Sequence, residues 1–290
     1  MNTLKNKVII VAGGTGGIGS ATALLLAQHG ATVVLASRRI DPADPLMEEI
    51  KVFSPGSSSF EGDLSLSNTW QELVGCAEHR YQTIHGLVNC VGTINIRRLE
   101  NLSGIEIESV LRANFLSVIY GVQAVLPVMR NQKQGAIITI GSLGGIIPMP
   151  YVALYSATKH AVRGLSLSLS EELKGTGVEA CLVSAGPVLT TMLEAEAFSD
   201  ECVISFINRP LRPARVAESV VSLLQRPRRE IVLPPVIGKL AVICQLVPGL
   251  FAICYRALRQ VGTVRLRSYR RQHSIQTQLL IPENPNVRTI

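Results

Sequence analysis

Tyr155 and Lys159 stand four residues apart in Tyr155-Ser156-Ala157-Thr158-Lys159, at the head of a stretch with helical periodicity. Positions i and i+4 share a helix face, so the spacing brings an ammonium toward a phenol. A free phenol ionises near pH ~10. A neighbouring cation stabilises the phenolate and lowers that value toward the range in which a general acid/base works. Ser142, thirteen residues before the tyrosine, ends the apolar run 137–141. Open α/β sheets place their sites at such strand ends.

A second set of residues has the chemistry of a nucleotide cradle. Gly13-Gly14-Thr15-Gly16-Gly17-Ile18-Gly19 joins an apolar run to a helical pattern at the start of the chain. Glycines there allow a tight turn, close approach of backbone N–H groups to a pyrophosphate, and close packing of helix on strand, and the helix N-terminus adds partial positive charge. Gly14-x-Gly16-x-x-Gly19 fits the dinucleotide fingerprint, and Gly13-x-x-x-Gly17-x-Gly19 fits an alternative spacing of the same device. The end of the second strand selects the cofactor. An NAD site places Asp or Glu there to bond the ribose 2′-hydroxyl, whereas this chain has Ser37 followed by Arg38 and Arg39. Paired guanidinium hydrogen bonds suit a 2′-phosphate, so NADP(H) is expected in preference to NAD(H). The plainer alternative is that both arginines form a solvated strand end.

These residues need a scaffold of repeated β-α-β units. Short β-branched runs at 7–12, 32–36, 58–63, 86–90, 136–141, 178–184 and 230–233 alternate with helical patterns such as 18–28, 69–80, 105–130, 153–173 and 213–224. That alternation predicts an α/β fold, a Rossmann-like doubly wound parallel sheet of about seven strands with helices on both faces.

In this order and spacing the motifs resemble the short-chain dehydrogenase/reductase family, matched from about residue 5 to about 235. The resemblance implies that Asn114, in Leu111-Arg112-Ala113-Asn114-Phe115, completes a catalytic set with Ser142, Tyr155 and Lys159. Tyr155 would exchange a proton with the substrate oxygen, Ser142 would hydrogen-bond that oxygen, Lys159 would lower the phenol pKa and contact the nicotinamide ribose, and Asn114 would hold a relay water. It also implies cofactor contacts at Gly13, Thr15, Gly16, Gly17, Ile18, Gly19, Ser37, Arg38 and Arg39, at Asp63 and Leu64 beside the adenine, and at Asn89, Val91 and Gly92. Gly186, Val188 and Thr190 would hold the carboxamide. The chain departs from the family pattern at Ala12, Cys90, Val91 and Ala185. None of these replaces a group that does chemistry.

Composition narrows the rest. The chain has 290 residues, 47% hydrophobic and 17% charged, with six scattered cysteines and no C-x-x-C pair. That excludes a disulfide framework or zinc spacing and suits a reducing, cytoplasmic setting. The five histidines build no site with a carboxylate or cysteine, so no metal is expected. The net charge of +7 belongs mostly to Arg256, Arg259, Arg265, Arg267, Arg270 and Arg271, within an acid-free stretch from 231 to 282. A charge confined to one tail argues against nucleic acid. The expected organisation is a catalytic domain at 1–235, an apolar then arginine-rich extension at 236–272, and a loose tail at 273–290. The nearly continuous apolar stretch 236–255 approaches a membrane span in length. Its proline and lysine suit a helix lying on an anionic bilayer, with packing on its own domain or on another subunit of a homo-oligomer as the alternative. Apolar residues around 143–152 and 191–212 predict a lipophilic carbonyl or alcohol substrate, 3-oxoacyl or steroid-like. The rival functions are a non-catalytic NADP(H)-binding sensor or scaffold, and an epimerase or dehydratase, which would need a larger C-terminal domain.

Overall fold

Val8–Ala12 is buried at every position, the pattern of a parallel strand covered on both faces. The computed structural model describes residues 4–41 and 43–277. In chain order the elements are β1 (Val8–Ala12), α1 (Gly17–Gln28), β2 (Thr32–Ser37), α2 (Leu46–Phe53), β3 (Ser58–Glu61), α3 (Ser67–Tyr81), β4 (Gly86–Asn89) and α4 (Gly104–Leu111). A π-helical turn (Arg112–Leu116) then leads into α5 (Ser117–Gln132), followed by β5 (Gly135–Ser142), α6 (Ala153–Glu172), β6 (Val178–Ala185) and α7 (Thr191–Ala197). The chain continues through α8 (Pro213–Gln225), β7 (Glu230–Leu233), α9 (Pro235–Leu246) and α10 (Pro248–Thr277).

Seven parallel strands form one sheet in the order β3-β2-β1-β4-β5-β6-β7. The order reverses between β1 and β4, so a crevice opens at the carboxyl ends of those two strands, where α/β sheets bind ligands. Alternate residues of β1 serve opposite faces. Ile9 and Val11 join the core layer beside α1 and α8, while Val8, Ile10 and Ala12 join the layer beside α3, α5 and α6. This is the Rossmann-like doubly wound sheet expected from the alternation of runs.

Local chemistry sets several element ends. At the start of α4, Ser103 Oγ accepts from Glu106 N (3.3 Å) and the Glu106 carboxylate accepts from Ser103 N (2.9 Å), a reciprocal capping box. Pro213 opens α8 where no intrahelical donor is needed.

The apolar stretch 236–255 is not one helix. Pro248 has no N–H to continue the ladder, so α9 ends at Leu246 and α10 begins at the proline. The last helix carries on through Thr277, five residues beyond the boundary expected for a loose tail, and the rest of that tail lies outside the described residues.

Candidate active site

Ser142 ends β5, and Tyr155 and Lys159 lie in the first two turns of α6, so sheet and helix present all three to the same pocket. Ser142 Oγ accepts from Gly144 N (3.0 Å), which fixes the hydroxyl in the pocket that Tyr155 also lines. The Lys159 ammonium donates to Ile140 O (3.2 Å) and lies 5.8 Å from the centre of the Tyr155 ring.

Asn114 sits in the π-helical turn with no solvent exposure. Its Oδ1 accepts from Thr93 N (2.7 Å), and its Nδ2 donates to Thr93 O (2.9 Å) and to Thr158 Oγ1 (3.1 Å). A Cβ built on Gly92 would lie 3.4 Å from Lys159 Nζ and 3.6 Å from Asn114 Oδ1, so amide and ammonium flank one small space. A side chain at Gly92 would fill it.

Residues 7–201 match the short chain dehydrogenase family. The chain belongs to that family. Two similar relatives are uncharacterized oxidoreductases. One, of Listeria monocytogenes, is 33% identical over 230 residues, covering 78% of this chain and 93% of the relative. The other, of Listeria innocua, is 35% identical over 194 residues, covering 66% and 78%. Among solved structures, levodione reductase superposes with a TM-score of 0.74 at 21% identity, covering 81% of this chain and 99% of that one. The structure of gox2181 gives 0.73 at 26%, covering 80% and 97%. The chain is therefore an oxidoreductase of the short-chain dehydrogenase family, which binds a nicotinamide cofactor.

The glycine loop has the shape such a cofactor requires. Gly13 adopts φ +75°, and a Cβ there would meet Val91 N at 2.9 Å; one on Gly19 would meet Gly13 O at 2.1 Å. Gly13 N and Gly14 N donate to Ala36 O (2.8 and 3.0 Å), tying the loop to β2. Gly16 caps α1 with no side-chain hydrogen bond, which leaves the first-turn N–H groups for an anion. Across the crevice, Thr190 lies so near that a Cβ on Gly17 would be 2.6 Å from its Cγ2. Ile18, Val91, Gly92, Gly186, Val188 and Thr190 line the same pocket as Ser142, Tyr155 and Lys159. Both amide atoms of buried Asn89 are without a hydrogen-bond partner among the described residues, so a donor and an acceptor remain for a further group beside the loop.

The adenine-side residues are less uniform. Thr15 Oγ1 and Ser37 Oγ share a hydrogen bond of 2.6 Å, and Arg38 and Arg39 are exposed and form no ion pair among the described residues. Carboxylates of Asp41, Asp44, Glu48 and Glu61 line the shallow pocket that includes Thr15. Each is already engaged: Asp41 with Ala43 N (2.8 Å), Asp44 with Leu46 N (2.9 Å), Glu61 with Ile40 N (2.9 Å) and Glu48 with the Lys51 ammonium (3.1 Å). Asp63 is exposed and accepts from Ser65 N (2.9 Å), and buried Leu64 takes the Trp70 indole on its carbonyl (2.9 Å). Neither residue shares the catalytic pocket.

Two findings differ from expectation. The phenol pKa is not lowered: burial pushes Tyr155 up to about 12, against the pull of Ser142, and nearby negative charge on Glu196 adds to the rise. The Lys159 ammonium is turned toward Ile140 O, and burial lowers Lys159 to about 8. Glu196, on α7, is not among the residues the sequence pattern marks. It lines the pocket and accepts a short hydrogen bond from the Ser205 hydroxyl, and burial raises its pKa to about 7. Its signal was a place one turn beyond Met192, on the face that α7 gives to the pocket. Cys90 lines the pocket too. Burial pushes its thiol up to about 12, so it stays a neutral packing group.

Proposed function

We propose that the protein is an NADP(H)-dependent oxidoreductase that interconverts a lipophilic ketone and its secondary alcohol, with Tyr155 as general acid/base. The observation that carries this reading is the meeting of Ser142, Tyr155 and Lys159 in one pocket at the carboxyl ends of the strands. Apolar side chains, among them Ile94, Leu143, Ile147 and Ile204, supply most of the remaining wall, which suits an apolar substrate body around one polar centre.

A bound nicotinamide would supply the hydride, and the glycine loop and the 186–190 segment would hold it. The chain's own groups handle the oxygen. Ser142, fixed by Gly144 N, donates to the carbonyl and shares its developing negative charge. Tyr155 gives the proton in reduction and takes it back in oxidation. A phenol held at about 12 is a proton donor across the neutral range. Lys159 resupplies that proton, and a water in the space it shares with Asn114 would link the ammonium to solvent.

NADP(H) is favoured over NAD(H) by the exposed Arg38 and Arg39 beside a hydroxyl pair.

The test is NADPH oxidation with a panel of apolar ketones and 3-oxoacyl thioesters. At least one should turn over, and Tyr155→Phe should slow it about a hundred- to ten-thousandfold. Equal turnover by the variant would overturn the mechanism.

A further inference from the structure

The outer face of the C-terminal extension is apolar and uncovered. Val236, Leu240 and Ile243 follow i, i+4, i+7 spacing on α9, which sets them in one stripe. They are 70%, 53% and 48% exposed. The opposite face of α9 is fully used: Gly238 packs against Val232, Ala241 against Leu143 and Ile146, and Ile237 lines the catalytic pocket. α10 repeats the arrangement. Gly262, Leu266 and Tyr269 turn inward, while Ile253 and Val264, three turns apart, are 72% and 68% exposed. One turn after Val264 comes Arg267. Neither it nor Arg256 forms an ion pair among the described residues.

We propose that this face docks on an anionic lipid bilayer, with the α9 stripe in the interface and Arg256 and Arg267 of α10 against the headgroups. Charge decides between occupants. Arg256 and Arg267 flank Ile253 and Val264 on α10, and from 231 to 282 the sequence holds no acid to offset them, while Arg265 and Arg270 turn inward. A second copy using the same patch across a two-fold axis would set this positive surface against itself. An anionic bilayer offers both an apolar layer for the stripe and negative charge for its flank. The geometry favours lying flat, because twelve residues of α9 rise only about 18 Å, short of the roughly 30 Å needed to span. Since α9 lines the catalytic pocket from its other side, docking would bring that wall to the lipid surface.

The experiment uses the full chain, without turnover as the readout. Co-sedimentation is measured with vesicles of phosphatidylcholine alone and of phosphatidylcholine mixed with phosphatidylglycerol. The protein should pellet with the anionic vesicles only, and be released at about 1 M salt, where screening is near 3 Å. Leu240→Glu with Ile243→Glu, and separately Arg256→Gln with Arg267→Gln, should each cut the bound fraction at least about tenfold while NADPH binding persists, showing that the fold is kept. Failure of the unaltered protein to bind anionic vesicles, or binding indifferent to both pairs of changes, would overturn the proposal. So would a dimer in solution that Leu240→Glu with Ile243→Glu converts to monomer, since a second copy would then own the face.

Discussion

At Lys159, burial sets a pH window for the reaction. Held at about 8, the ammonium keeps its proton below that value and loses it above. In the proposed mechanism reduction consumes a proton at Tyr155, so kcat/KM for the ketone should be level below pH 7. It should fall about tenfold per unit well above 8. Lys159→Arg, with a charge that persists past pH 12, should erase the falling limb; a limb that stays in place would assign it to another group. On the cofactor side, Arg38→Ala should weaken NADPH about ten- to a hundredfold, the size of a lost charged hydrogen bond. NADH should be affected little, and titration by cofactor fluorescence separates the two. Tyr155, Lys159 and Ser142 were readable because i, i+4 spacing and strand ends are local properties. The direction of the phenol shift was not, because burial depends on what the rest of the chain stacks on top. An acid such as Glu196 reads as solvated until α7 and the turn Val203–Phe206 are seen to enclose it.

Elements that hold the site can be tested one at a time. α10 crosses the lid formed by α7 and the turn Val203–Phe206, burying Leu266 with Phe206, Leu193 and Ala197 and setting Tyr269 5.1 Å from the Phe206 ring. Arg270 donates to Ala197 O and pairs with Asp200 (2.8 Å), and Arg265 donates to Ile207 O. At the crossing a Cβ on Gly262 would come 2.2 Å from Val203 O, a backbone atom with little room to yield. Gly262→Val should therefore push the lid outward and raise KM for the ketone several-fold while the Kd for NADPH holds. Steady-state kinetics and cofactor titration decide it, and a matched rise in both constants would mean a general loss of fold. All seven strands were legible to within two residues from their β-branched runs. α2 was not, because its eight residues are too short for periodicity to stand out. The lid-facing role of α10 was hidden as well, since an arginine-rich helix shows no sign of the carbonyls its guanidiniums will find.

As a whole the molecule separates into a sheet with its two buried layers and a lid assembly at one edge. Every fully buried member of both sheet layers precedes residue 234, while the lid and pocket-wall clusters draw on Leu266 and Ala241. A chain ending after Leu233 should lose from its far-ultraviolet dichroism only the helical signal of α9 and α10 and still bind NADPH, yet lose ketone turnover at least about tenfold through KM. Loss of cofactor binding as well would mean that the extension supports the whole sheet. Topology was legible because alternating strand and helix patterns leave few ways to wind a parallel sheet. The partition was not, because it depends on which side of the fold the last two helices take.

The π-helical turn at Arg112–Leu116 also bears on how such a chain can change. The wide turn takes up one residue more than ordinary winding would, so α4 and α5 keep their seats while Asn114 is pushed toward Thr93. Removing that residue would restore ordinary winding, leave both helices in phase and withdraw the amide. Side chains along this helix can be exchanged, and loops at either end can lengthen. The number of residues between the capping box at Ser103 and the end of α5 is a quantity that drift in the sequence must leave alone.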